Sequence, residues 1–174
     1  MPKFSFPLAL FICLLIPGTN QAKQKSAKVN LDHLSKLVLD DVKQSTLGLA
    51  DQIIDEKPIT ITAASCKRSS GGRHDFYSEG DYWWPDPSNS TAPYIQKDGQ
   101  SNPDNFSDHR LALIRLSEIT ATLTSAWLLT GQPKYAAKAL EHLHAWFADT
   151  TTMMNPNMLY AQAIWGRFTG RGIG

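Results

Sequence analysis

The second half of the chain contains two runs of helical periodicity separated by a glycine and a proline, and this pattern constrains the fold most. Ser107 or Asp108 can cap the first helix. Apolar residues then recur at helical spacing and predict a buried stripe. This stripe consists of Ala112, Leu116, Ile119, Leu123, Ala126 and Trp127. Gly131 is expected to end the helix and Pro133 to open the next one, since glycine favours the position after a helix and proline its first turn.

The second helix is predicted to run from Pro133 to about Asp149. Its predicted buried residues are Tyr135, Ala136, Ala139, Leu140, Leu143, Trp146 and Phe147. Because the connection is short, the two helices must form a tight αα-hairpin. Similar spacing predicts a leading helix from Asn30 to about Asp55 and a third, shorter helix over Asn157 to Trp165. The predicted fold class is therefore all-α, built from helical hairpins.

A long segment without helical or strand periodicity, Tyr77 to Arg110, lies between these helices. Loops of this length in compact domains commonly form lids or binding surfaces. Tyr82, Trp83 and Trp84 stand side by side in it, and flat aromatic faces stack on sugar rings or nucleobases. The alternative is that the indoles fill a core beneath the loop.

The amino terminus has the pattern of an export signal. Lys3 precedes an apolar run from Phe4 to Ile16, and small or turn-forming residues follow up to Ala22. The run is too short to span a bilayer comfortably, although an uncleaved anchor remains an alternative. The expected organisation is a signal at 1–22, a leading helix and linker at 23–57, and a domain at 58–174. We expect a periplasmic or secreted protein without stable membrane insertion after cleavage.

Charge and cysteine content exclude several classes of protein. The formal net charge is +1, and no basic surface typical of nucleic-acid binding is visible. Cys13 would leave with the signal, so Cys66 is alone in the mature chain and has no internal disulfide partner. No spacing resembles a zinc or iron-sulfur site, so no metal or cofactor is expected. Glycines flank Arg167 and Arg171 near the end of the chain, a pattern that allows close approach to an anionic ligand.

Three segments resemble the amino-terminal part of the alginate lyase family. They are HDFYSEGDYWWPDP at His74 to Pro87, PYIQKDGQSNPDNFSDHR at Pro93 to Arg110, and MNPNMLYAQAI followed by GRGIG within Met154 to Gly174. The resemblance covers roughly Pro58 to Gly174. It implies an exported bacterial polysaccharide lyase with an incomplete α/α-toroid of successive helical hairpins. Because the sequence stops within a motif, we expect a truncated chain that holds only part of the toroid.

The resemblance implies β-elimination on a uronic-acid polysaccharide such as alginate or a glucuronan. Such a reaction needs a group that neutralises the uronate carboxylate, a base and an acid. In the family an Asn-Asn-His motif followed by a tyrosine supplies these groups, and this sequence has no such motif. The four histidines after the leading helix, His74, His109, His142 and His144, do not match it. The catalytic residues are expected beyond Gly174, so the fragment is expected to be inactive alone.

The resemblance implies that this chain binds an anionic polysaccharide. The predicted substrate-binding residues are Tyr82, Trp83 and Trp84 as stacking surfaces, Asn102, Asn105 and Gln162 as partners of hydroxyls, and Arg110 and Arg171 as partners of carboxylates. Each has a structural alternative. Arg110 would balance Asp108 or Asp104, the two asparagines would shape turns, and Gln162 would be an ordinary helix residue.

Two other functional classes remain open. A glycoside hydrolase on a similar helical toroid would take an acid and a base from Glu79, Asp81 and Asp86. A helical-repeat binding module is suggested by a pattern of four residues: Trp127, Gly131, Tyr135 and Ala139. That class requires the pattern to recur about every 34 residues, and it does not.

Overall fold

The computed structural model describes residues 31–171, with side chains from His33 onward. The predicted signal at 1–22 and the last three residues of the chain, 172–174, lie outside the described residues. Within them, three α-helices dominate: α1 at Leu31–Ile53, α2 at Asp108–Thr130 and α3 at Pro133–Phe147. A 3₁₀ turn at Ile61–Ala63 and four short strands occupy the remaining segments: β1 at Tyr77–Glu79, β2 at Trp83–Trp84, β3 at Ile95–Gln96 and β4 at Tyr160–Ala163.

The predicted αα-hairpin is confirmed. Gly131 ends α2 in the left-handed conformation, with φ of 68°, and its N–H donates to the carbonyl oxygen of Trp127 at 2.7 Å. Pro133 then occupies the first turn of α3. Ala50 of α1 packs against the hairpin and completes a core with α2 and α3. The core residues are Ala50, Ile119, Leu123, Ala126, Tyr135 and Ala139.

The buried face of α3 is narrower than predicted. Tyr135, Ala139, His142 and Trp146 are buried, at successive steps of four, three and four residues. The predicted residues Leu140, Leu143 and Phe147 form a neighbouring row that is exposed in the described structure, as is Trp127 of α2. The predicted set therefore combined two adjacent rows of one helix, of which only one is covered. We call Leu140, Leu143 and Phe147 the outer row.

The segment Tyr77 to Arg110, predicted to lack regular structure, contains three of the four strands of two small sheets. β1 pairs in parallel with β4, and β2 pairs antiparallel with β3. The second sheet brings Trp83 opposite Gln96 and Trp84 opposite Ile95. Trp83 and Trp84 therefore lie on a strand of an antiparallel sheet, in the part of the sequence between α1 and α2.

The prediction of a third helix over Asn157 to Trp165 is wrong, because this segment contains β4. Its backbone pairs with β1 and with the residue that follows β1: the Gly80 N–H donates to the carbonyl oxygen of Ala163 at 3.0 Å. Gln162 has a φ of 53°, which no right-handed helix accommodates. The fold is accordingly helix-rich with two small sheets, and the all-α assignment needs that correction. None of the helices within residues 31–171 is both long and apolar enough to cross a membrane.

Candidate substrate-binding cleft

A bulge in β4 determines the geometry of the candidate site. Tyr77 lies opposite Tyr160 and Glu79 opposite Ala163, so β4 carries one residue more than β1 over the same length. Gln162 takes up this extra residue in the left-handed region, and its N–H donates to the Ser78 hydroxyl oxygen at 3.0 Å. Bulges commonly redirect a side chain near functional sites. Here the bulge leaves the Gln162 side chain exposed.

Two hollows meet at this bulge and share Ser78 and Gln162. The larger, of about 670 Å³, we call the Arg171 hollow; it is lined by Phe76, Ser78, Asn157, Met158, Ala161, Gln162 and Arg171. The smaller, of about 260 Å³, we call the Arg110 hollow; it is lined by Ser78, Glu79, Gly80, Asp81, Tyr82, Arg110 and Gln162. Together they form the cleft. Four residues predicted to bind substrate thus come together from separate parts of the chain: Tyr82, Arg110, Gln162 and Arg171.

Arg171 is fixed beside β4 by its backbone. Its N–H donates to the carbonyl oxygen of Ala161 at 2.5 Å, and its φ is 51°. At the preceding Gly170, a Cβ atom would lie 1.9 Å from the carbonyl oxygen of Leu159. Glycine is therefore required there for contact between two backbone segments, rather than for approach to a ligand as the sequence suggested. The exposed Arg171 guanidinium has no carboxylate partner among the described residues.

Arg110, in contrast, already has a carboxylate partner. Its Nη1 donates to both oxygens of Asp81, at 2.8 and 3.0 Å, and each side chain is 46% exposed. The acidic partner predicted from sequence was Asp108 or Asp104, and the structure identifies Asp81 instead. Tyr82 lines the same hollow with 39% of its surface exposed. This end of the cleft therefore combines an exposed aromatic ring with a neutralised ion pair.

The two tryptophans do not line either hollow of the cleft. The Arg167 guanidinium lies 5.1 Å from the centre of the Trp83 ring, and Lys97 Nζ lies 4.7 Å from that of Trp84. Trp84 Nε1 also donates to the carbonyl oxygen of Gln100 at 2.8 Å. One face of each indole is therefore covered by a cation of the protein. A role for Trp83 and Trp84 in substrate stacking stays a prediction.

Asn102 and Asn105 bind the backbone of the segment that contains Gly80 and Trp83. Asn102 is 6% exposed, and its Nδ2 donates to the carbonyl oxygen of Trp83 at 2.9 Å. Asn105 Nδ2 donates to the carbonyl oxygen of Gly80 at 2.8 Å. These contacts match the alternative in which both asparagines shape turns. Their binding of substrate hydroxyls stays a prediction.

Glu79 is a buried anion with four hydrogen bonds. Its carboxylate accepts from Arg68 Nε and Nη2 at 2.5 and 2.6 Å, from the Phe106 N–H at 2.7 Å and from the Tyr77 hydroxyl at 3.1 Å. Burial alone would raise the pKa of Glu79, but these donors outweigh it and hold the pKa below its usual value. A carboxylate kept ionised in this way cannot serve as a general acid. The sequence offered Glu79 as a candidate but gave no sign of Arg68 as its partner.

The buried histidines have structural partners. His109 Nδ1 accepts from the Tyr77 N–H at 3.0 Å, so its Nε2 carries the proton and donates to the carbonyl oxygen of Ala64 at 3.2 Å. His109 lines a separate hollow with Cys66, but with both nitrogens engaged it is poorly placed to activate that thiol. His142 is buried and His144 is exposed, because residues two positions apart on a helix point to different faces. Residues 31–171 contain no group of three or more histidine, cysteine, aspartate or glutamate side chains able to hold a metal ion.

Two residues with polar side chains in the cleft were not predicted from sequence. Ser78 is buried at the junction of the hollows, and Asn157 lines the Arg171 hollow. Ser78 lies between an aromatic and an acidic residue in a short strand whose three residues are all buried, so no alternation of the sequence marks it. The spatial relation of β1 to β4 is needed to recognise both.

Two comparisons with known proteins give matches. The family model described as alginate lyase matches residues 60–174. A crystal structure of an alginate lyase from Bacteroides ovatus is 40% identical over 74% of this chain, with a TM-score of 0.65. The match covers 34% of that structure, so this chain spans about a third of its length. No curated protein matches the chain.

Proposed function

Because this chain belongs to the alginate lyase family, we propose that it forms part of a polysaccharide lyase that cleaves a uronic-acid polymer, such as alginate or a glucuronan, by β-elimination. The described residues contribute the wall of the cleft that holds the polymer. The catalytic base and acid come from sequence beyond this chain, so the chain alone is inactive. The apolar run near the amino terminus supports export to the periplasm or the exterior.

The chemistry of elimination explains why a fixed cation matters. A base removes the proton on C5 of a uronate, the electron pair forms a C4–C5 double bond, and the bond from C4 to the glycosidic oxygen breaks. That oxygen leaves with the neighbouring sugar and takes a proton from an acid. Negative charge builds on the uronate carboxyl group as the proton departs, so a fixed donor facing it lowers the barrier.

The free guanidinium of Arg171 carries this proposal. Arginine donates to a carboxylate through two parallel N–H groups, and Arg171 has no competing carboxylate among the described residues. Its backbone is held on β4 by the bond to Ala161. We assign Arg171 to the uronate carboxylate, Gln162 and Asn157 to sugar hydroxyls, and Tyr82 to an apolar face of a sugar ring.

The exposed outer row supports a larger helical assembly. Leu140 and Phe147 are 64% and 56% exposed, with Leu143 between them. A continuous apolar row on one helix normally packs against another element. We propose that further helical hairpins of the family fold cover it and extend the hairpin into an incomplete α/α-toroid.

The hydrolase alternative has less support. Glu79 is held ionised, Asp81 is paired with Arg110, and Asp86 accepts from the N–H and hydroxyl of Ser88 at 2.8 and 2.6 Å. The hydrogen bonds from Ser88 lower the pKa of Asp86. None of the three is arranged as a protonated acid facing the cleft.

The reaction product tests the proposal. The full-length protein is incubated with alginate, a glucuronan and a neutral glucan, while ultraviolet absorbance and reducing ends are followed together. Elimination predicts that both rise on a uronate polymer and neither on the glucan. Reducing ends that rise without absorbance would show hydrolysis and overturn the proposal.

A further inference from the structure

The two halves of the cleft differ in their electrostatic character. Among the residues that line the Arg171 hollow, only Arg171 has an ionisable side chain. Its guanidinium forms no ion pair with any carboxylate of the described residues. In the Arg110 hollow the charges cancel: Asp81 holds Arg110, and Glu79 is held by Arg68 beneath the surface. The cleft is thus cationic on one side of Gln162 and neutral on the other.

This asymmetry bears on which sugars fit side by side. In a homopolymer of uronic acid, each unit carries a carboxylate, so neighbouring units would place one in each hollow. A carboxylate in the Arg110 hollow would meet the exposed Asp81 carboxylate, and binding Arg110 would require displacing that carboxylate. Like charges at close range disfavour each other, and a paired arginine has less to offer a second anion. A neutral sugar meets neither cost, and its ring can lie on Tyr82.

We propose that Asp81 is a specificity determinant that neutralises Arg110, so that the cleft accepts a uronate in the Arg171 hollow beside a sugar without a carboxyl group in the Arg110 hollow. Among uronic-acid polysaccharides, the cleft then prefers a polymer in which uronic acid alternates with neutral sugar over a polymer of uronic acid alone. This inference rests on the proposed function, because it takes the cleft to bind a uronic-acid polysaccharide. It goes further by assigning a different kind of sugar to each half.

Two polymers with identical linkages test the assignment. Native alginate carries a carboxylate on each unit, and partly carboxyl-reduced alginate has some of these units converted to neutral sugars. For the full-length protein we expect kcat/KM per remaining uronate to be as high on the reduced polymer as on native alginate, or higher. A steep fall on carboxyl reduction would overturn the proposal.

Two variants should shift this preference in opposite directions. Asp81→Asn frees the Arg110 charge and should move the kcat/KM ratio roughly two- to fivefold toward native alginate, the range expected for an exposed pair. Arg110→Gln leaves Asp81 as an unpaired anion and should move the ratio the other way. Asp98→Asn removes a charge from the same long segment at an exposed position outside the cleft and should keep the original ratio.

The outcomes separate this proposal from the proposed function. If no unsaturated product forms on either polymer, the lyase proposal fails, and the charge preference is then read from affinity electrophoresis of the same variants on both polymers. If elimination occurs but Asp81→Asn keeps the original ratio, or the two variants shift it in the same direction, Asp81 does not determine specificity. Both side chains are about half exposed, so circular dichroism should show folded variants.

Discussion

At the scale of single residues, the two arginines of the cleft differ in whether a protein carboxylate already holds them. Arg110 is bonded to Asp81 through one guanidinium nitrogen, whereas Arg171 has no such partner among the described residues. Exposed ion pairs contribute little stability. A guanidinium that already donates to a protein carboxylate nevertheless has fewer free donors for a ligand. From sequence, both arginines were predicted to bind substrate carboxylates. The structure shows that, of the two, only Arg110 is bonded to a carboxylate of the described residues.

Changing Arg171 to alanine should weaken catalysis without unfolding the protein. A charge-assisted bond to a carboxylate contributes about 1.5–3 kcal/mol, so kcat/KM on alginate should fall roughly ten- to a hundredfold. Arg73→Ala is the matched control, because Arg73 is exposed and lines a different hollow. Equal kcat/KM for the Arg171 variant and the wild type would remove Arg171 from the site.

Changing Glu79 to glutamine should lower the stability of the protein more than its activity. The variant leaves Arg68 without its anionic partner, and because Arg68 is itself one-third exposed we expect a loss of only about 2 kcal/mol in the free energy of unfolding. Denaturant unfolding measures this loss. Activity per folded molecule should stay within a few fold of the wild type. A variant of normal stability without activity would instead favour a catalytic carboxylate.

At the scale of elements, the bulge in β4 links backbone strain to the position of a side chain. Gln162 lies at a φ of 53°, where a side chain costs about 1 kcal/mol and glycine costs little. Such strain is found where the surrounding structure holds a residue for a purpose. The hydrogen bond from its N–H to Ser78 is part of that restraint.

Replacing Gln162 with glycine should therefore separate stability from activity. The free energy of unfolding should rise by up to about 1 kcal/mol, while kcat/KM falls because the amide is lost. Gln162→Asn is the matched comparison, since asparagine tolerates the left-handed region and keeps a shorter amide. Thermal unfolding and kinetics on alginate provide both readouts. Loss of stability in the glycine variant would contradict the account of the bulge.

Helix α3 should respond to acid through His142. Burial lowers the pKa of His142 below 6.5, although the bond from Nε2 to the carbonyl oxygen of Glu56 opposes the shift. As pH falls, the imidazole of His142 is therefore protonated in the unfolded chain before it is protonated in the folded protein. The contribution of neutral His142 to the free energy of unfolding is complete above pH 6.5 and is lost as pH falls from there through the folded pKa. His142→Gln keeps a donor but does not titrate. Its unfolding free energy should depend less on pH just below 6.5 than that of the wild type, and equal slopes would contradict this.

At the scale of the whole molecule, the parts predicted correctly were those fixed by local sequence. Gly131 and Pro133 end and begin helices through their own backbone preferences, so the hairpin could be read from a few neighbouring residues. β4 could not, because its conformation depends on β1, far earlier in the chain. The lining of the cleft could be predicted only in part: Gln162 was predicted to bind substrate but was placed on a helix.

The outer row of α3 provides a test of the larger assembly. If further helices cover it in the full-length protein, Leu140→Ala should cost about 2 kcal/mol or more, as for a buried leucine. If Leu140 stays as exposed as it is here, the change should lie within about 0.5 kcal/mol of zero. Denaturant unfolding of the full-length protein separates the two results, and the smaller value would contradict the proposed toroid.

We propose that the cleft at the β4 bulge holds the polymer, and hydrogen exchange tests this proposal most directly. The full-length protein is compared with and without a short oligouronate, and amide protection is followed by peptide. We expect increased protection at 77–82 and 157–171, the segments that line both hollows. Protection confined to 62–75, around the separate hollow of Cys66, would contradict the account.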